Sequence, residues 1–121
     1  MSEIRATTIS DAAGTGPITL TKQSAAKAWA RYDGASNSVS SFNISSLVDD
    51  GTAGNTTASF TSNMANINYL GVASANQNTG DIGDRFVAVS NFFVSSVDTF
   101  AFDGSTRTDV MTSVAVMGDL A

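Results

Sequence analysis

A chain of 121 residues with a net charge of −5 has the length of one ordinary domain and cannot form two separately cored units. It contains no Cys and no His, which excludes a disulfide framework, a zinc finger, a haem site, a Cys protease and a Ser-His-Asp triad. Six basic residues against eleven acidic ones argue against unaided nucleic-acid binding, which needs Lys and Arg to displace counterions.

Ile4, Ala6 and Thr8 alternate with Glu3, Arg5 and Thr7, a period of two that predicts an N-terminal strand. The start, MSEIRATTI, is polar and alternating, so no secretory leader is expected there. Residues 11–17 (DAAGTGP) form a turn cluster holding the only proline, and residues 18–21 make a short extended segment. Residues 22–32 (KQSAAKAWARY) are the one stretch with helical character. A short helix or turn is expected over 23–28 and a strand over 28–32.

The β signal is cleaner further on. Residues 39–48 (VSSFNISSLV) place Phe42 and Ile44 at period two. Residues 49–54 (DDGTAG) read as a hairpin turn, so the segment holding Ala58 and Phe60 should pair antiparallel with the one before it. Residues 63–66 connect to a strand over 67–75, with Tyr69, Gly71 and Ala73 on one face and Leu70 and Val72 on the other. A polar loop spans 75–84. Strands over 86–97, 99–102 and 110–117 complete the set. Roughly eight strands at this spacing are the signature of an antiparallel β-sandwich or small barrel. The polar residues agree, because 17 Ser, 14 Thr, 9 Asn and 10 Asp are side chains that favour turns and pleated surfaces over helix interiors.

Little in the chain suggests catalysis. Asp49 with Asp50, and Asp81 with Asp84, could be a calcium site or a carboxylate dyad. Both pairs lie in glycine-containing loops, where Asp caps the turn through its own backbone, and that is the favoured reading. Gly14, Thr15 and Gly16 lack the Lys-Ser/Thr and the helix of a phosphate loop. Sequons at Asn43 and Asn55 are expected by chance in this composition. No nucleophile is placed beside a base, so no enzyme is expected, and no cofactor or metal. Strand spacing assigns Phe42, Phe60, Phe86, Phe100 and Phe102 to the core. Trp29 and Tyr32, beside Lys27 and Arg31, fit a core or an interface equally well.

Residues 2–5 (SEIR), 14–23 (GTGPITLTKQ), 25–29 (AAKAW), 41–47 (SFNISSL) and 60–69 (FTSNMANINY) resemble a recurrent module of tailed-phage virion proteins, of the kind labelled tail fibre or virion structural protein. The resemblance covers about residues 2–75, and residues 114–119 (VAVMGD) are similar to the module's end. Ala30, Arg31 and Tyr32 depart from its commoner Val-Asn-Phe after the Trp. The resemblance implies an intertwined homotrimer, with residues 1–34 as an extended segment for trimer and particle attachment and residues 35–121 as a β-sandwich. It also implies a virion location, as a short tail fibre or a capsid-surface decoration or cement protein. The expected subunit and particle interface is Ile4, Arg5, Lys27, Trp29, Arg31 and Tyr32, with Trp29 as anchor. The expected outward surface is polar: Asp49, Asp50, Asn55, Asn76, Asn78 and Asp81. Partners would be two further copies, capsid or tail subunits, and a host-surface glycan, with no nucleic acid and no membrane insertion. A different class, a secreted carbohydrate-binding β-sandwich, would be a monomer with calcium near Asp49, Asp50, Asp81 or Asp84.

Overall fold

The computed structural model describes residues 26–34, 37–76 and 83–121. They form nine strands and no helix: β1 (Ala26–Tyr32), β2 (Ser38–Phe42), β3 (Ile44–Asp49), β4 (Asn55–Phe60), β5 (Leu70–Asn76), β6 (Arg85–Phe92), β7 (Ser96–Asp103), β8 (Thr106–Arg107) and β9 (Met111–Met117). One sheet runs β2-β1-β9-β5 and the other β3-β4-β7-β6, with β8 pairing to β7 beyond the end of β4. Every pairing is antiparallel. We call these the first and second sheets. Their packing makes the β-sandwich that the strand spacing predicts.

Three expectations are corrected. Residues 26–28 are strand, not helix, because Ala28 and Ala30 are small enough to be buried against the second sheet. β1 lies between β2 and β9, so residues 26–34 belong to the sandwich and not to a separate N-terminal segment. The expected strand over 39–48 is two strands in different sheets, broken at Asn43, whose φ is +55°. The predicted N-terminal strand, Ile4, Arg5, Asn78 and Asp81 lie outside the described residues.

Asn43 is a corner held by its own side chain. Its Nδ2 donates to the carbonyls of Lys27 at 2.9 Å and Ser62 at 3.1 Å, and its Oδ1 accepts from Ser62 N–H at 2.7 Å. Asn tolerates the left-handed region better than most residues, and here the amide also ties together the start of β1 and the end of β4. The corner reverses the parity of the chain. Phe42 faces outward on the first sheet while Ile44, two residues on, faces inward on the second.

The interior is thin. Ala28, Ala58, Phe60, Met64, Tyr69, Val97 and Val116 form one cluster, and Ala30, Tyr32 and Val114 another. Met64, in the connection after β4, is a core residue that periodicity does not mark. The Tyr69 ring meets Phe60 and Phe92 edge-on, and its hydroxyl donates to the carbonyls of Phe93 and Ser96, both at 2.9 Å. Near the other end, buried Thr56, Thr99 and Thr112 surround Tyr32, whose hydroxyl bonds Thr99 Oγ1 across the two sheets. Of the five Phe assigned to the core, only Phe60 is there. Phe42 and Phe86 are 55% and 50% exposed, and Phe100 and Phe102 are half-buried on the outer face of the second sheet.

Two outcomes check this interior. Burial pushes the phenols of Tyr32 and Tyr69 above their ordinary value of 10.0. Because the folded values are raised, the unfolded chain loses these protons first. Stability is therefore fully present below about pH 10 and falls as pH rises through the folded values. Tyrosinate absorbance should rise only above that pH, together with loss of thermal stability. At the corner, Asn43→Asp keeps the acceptor for Ser62 N–H but turns a carboxylate toward two carbonyls. A urea midpoint should report a loss of about 1–3 kcal/mol; an unchanged midpoint would remove the corner's role.

Candidate interaction surface

Alternation along β1 buries Ala28, Ala30 and Tyr32 and turns Lys27, Trp29 and Arg31 to the outside of the first sheet. Register then builds a row across all four strands. Trp29 lies opposite Phe42 on β2 and Ala115 on β9, and Ala115 lies opposite Val72 on β5. A second row sets Leu70 opposite Met117. Trp29 is 38% exposed and Leu70 57%. Long apolar side chains thus stand on the two flanking strands above the small residues of β9.

The result is a groove of about 490 Å³ on the outer face, with Trp29 and Arg31 as one wall, Val72 and Ser74 as the other, and Ser113 and Ala115 as its floor. β1 and β5 are two strand spacings apart, roughly 10 Å, so the groove admits side chains or one extended segment. Its lining is almost wholly apolar. Arg31 is half-buried in its wall and donates from Nη2 to Met111 Sδ at 3.3 Å, while Lys27, also half-buried, lies two residues before Trp29 on the same face.

The first sheet therefore gathers Lys27, Trp29 and Arg31 on one face. Tyr32 is not among them. It is 2% exposed and serves the core, because it follows Arg31 in the period-two pattern. Sequence reasoning missed Phe42, Met117 and Ala115 as parts of this surface, although the alternation of Leu70 and Val72 against Gly71 and Ala73 was a usable signal.

The polar loop residues divide. Asp49 Oδ1 accepts from Gly51 N–H at 2.9 Å and Asp50 Oδ1 from Thr52 N–H at 2.8 Å, and both aspartates are exposed. This is the turn chemistry that the glycine-rich setting favours. Gly54 closes the turn at φ +75°, where a Cβ would strike the Ala101 carbonyl oxygen. Asn55 and Asn76 are half-buried at strand ends and turned to internal bonding, not outward as expected. Asn55 Nδ2 donates to Asp50 Oδ2, and Asn76 Nδ2 donates to Ser113 Oγ at 2.8 Å. Among the described residues no three His, Cys, Asp or Glu side chains converge on a point that could hold a metal ion.

A second, flatter aromatic surface lies on the outside of the second sheet. Phe86 stacks on Phe102 with centroids 4.8 Å apart and planes 10° from parallel. The Arg107 guanidinium sits 4.5 Å above Phe100, and Arg85 Nε pairs with Asp103 at 3.2 Å.

The outward and inward residues of β1 should separate in mutagenesis. Trp29→Ala is expected to cost about 1 kcal/mol or less in unfolding free energy, as surface changes usually do. Tyr32→Ala should cost about 3–5 kcal/mol, as for other buried aromatics. Equal losses in chemical denaturation would contradict this assignment of faces. No family model, curated protein or solved structure matches the chain.

Proposed function

We propose that this chain is a non-enzymatic structural protein of a bacteriophage particle, a short tail fibre or a capsid-surface decoration protein built as a homotrimer. Its work is mechanical and adhesive: it holds to its own copies and to capsid or tail subunits, and it presents polar loops to a host-surface glycan. The assignment to a virion and the trimer rest on the resemblance of residues 2–75 to virion modules. The observation that supports self-association is the outer face of the first sheet, where Trp29, Phe42, Leu70 and Val72 form one exposed apolar surface around a groove. An exposed patch of this kind marks a binding surface more often than a bare one, and Trp with Arg is the pairing enriched where interfaces carry most energy.

The competing reading, a carbohydrate-binding sandwich, draws on the stacked Phe86 and Phe102 rings with Arg107 and Asp103 beside them. Flat rings with flanking hydrogen-bonding groups suit the C–H face and hydroxyls of a sugar.

Light scattering on a size-exclusion column tests both. The proposal expects a trimer mass, and a shift toward monomer for Val72→Asp, which sets a carboxylate in the groove wall without touching the core. A stable monomer at every concentration that binds glycans through Phe86 would favour the competing reading and remove the trimer.

A further inference from the structure

We infer that the groove on the first sheet is filled by the acidic β3–β4 turn of a second copy, so that copies join face to tip. This rests on the self-association proposed above and names the two surfaces that meet. Charge is the first reason. The strand residues on the outer face of the first sheet include two cations, Lys27 and Arg31, and no carboxylate, in a chain whose net charge is −5. Two-fold packing of this face on itself would be isologous and would enclose four cations in one shared surface without a carboxylate from its strands. Like charges brought together disfavour that arrangement. The complement of this face is acidic and lies elsewhere on the molecule.

Topology collects that complement at one end. Asp33 follows β1, Asp49 and Asp50 end the β3 side of the hairpin, Asp84 precedes β6, Asp103 ends β7 and Asp109 precedes β9. The bond from Gly54 N–H to Asp109 Oδ1 shows that the two sheets share this end. Within it the β3–β4 turn carries two adjacent aspartates, of which Asp50 also accepts from Asn55 Nδ2. Asp103 is paired with Arg85, and Asp33 accepts twice from Asn37. Asp49 and Asp50 are exposed side by side, next to Val48, which is 51% exposed. One apolar side chain beside two carboxylates matches an apolar groove with Arg31 in its wall and Lys27 farther along the same strand. The turn is also rigid before docking, since both aspartates already bond their own backbone. Less ordering is then required on association.

Such a contact is heterologous, and it closes a ring where the rotation permits, as a trimer requires. It withdraws the 49–55 turn from the outward loops.

Charge reversal on the full chain, read by light scattering across protein and NaCl concentration, tests the contact. Lys27→Glu/Arg31→Glu and Asp49→Lys/Asp50→Lys should each weaken assembly at least about tenfold, and the chain carrying all four changes should recover it, because a reversed face then meets a reversed turn. Asp49→Asn retains an oxygen acceptor for the Gly51 N–H and removes one charge, and it leaves untouched Asp50, whose second oxygen accepts from Asn55 Nδ2. It should weaken assembly while leaving the circular-dichroism spectrum unchanged, which guards against misfolding as the cause; melting temperature would itself fall as assembly is lost. Wild-type assembly should weaken as NaCl is raised. If the wild type assembles and the turn variants assemble equally well, the face-to-tip contact is wrong while self-association stands. If the fourfold variant stays as dissociated as either pair alone, the contact is also wrong. A wild type that is monomeric throughout overturns both.

Discussion

The left-handed corner at Asn43 is the constraint from which the rest of the architecture follows. A continuous strand through residues 38–49 would keep Phe42 and Ile44 on one face. Instead the positive φ, fixed by three side-chain hydrogen bonds, passes the chain from the first sheet to the second. Ile44 then enters the interior beside Phe60, and Phe42 joins Trp29 on the outer face. The same bonds tie the start of β1 to the corner and to the residues after β4. A local conformational choice at one residue thus produces both the core and the apolar exterior.

The interior that results cannot absorb all the large side chains. Ala28, Ala30 and Ala58 keep part of the space between the sheets shallow, and Thr56, Thr99 and Thr112 line another part with hydroxyls. Those hydroxyls need partners once buried. The bond between Tyr32 and Thr99 supplies one across the sheets, and the bond from Thr112 Oγ1 to the Val110 carbonyl at 3.1 Å supplies another. Large apolar residues are displaced outward onto two different surfaces. The first sheet carries Trp29, Phe42, Leu70 and Val72 around a groove, and the second carries stacked rings capped by Arg107. The first surface has the shape and charge of a socket. The second is flat and partly covered by the chain's own guanidinium.

This division explains why the acidic turns behave as they do. Asp49 and Asp50 are not gathered with other carboxylates around a cation; each holds a backbone N–H two residues ahead. Their charge remains at the surface, fixed in place at the tip of a hairpin. Lys27 and Arg31 lie on the outer face of the other sheet, Lys27 at the far end of β1 and Arg31 beside Met111 near the loop end. The outer face of the first sheet and the tip of the β3–β4 hairpin thus carry opposite charge.

Much of the fold was legible in the residues themselves. Ser, Thr, Asn and Asp in place of Glu and Lys pointed to an all-β chain, and the Asp-Gly turn with Ala58 and Phe60 behind it placed the β3–β4 hairpin, because turn chemistry and period-two alternation are local. The alternation of Leu70 and Val72 against Gly71 and Ala73 was likewise readable. Which face of each strand meets the other sheet was not local. Phe86 and Phe42 looked like core residues and Tyr32 fitted core and interface equally, yet Ala101, Val97 and Tyr32 fill the interior and the two Phe lie outside. Periodicity separates two faces without saying which is inward. Only the pairing of β7 between β4 and β6, and the reversal at Asn43, settle that choice. The amino-acid sequence determined the strands and the chemistry available to them, and the packing of two sheets decided which of those residues fill the interior and which stay on the outside.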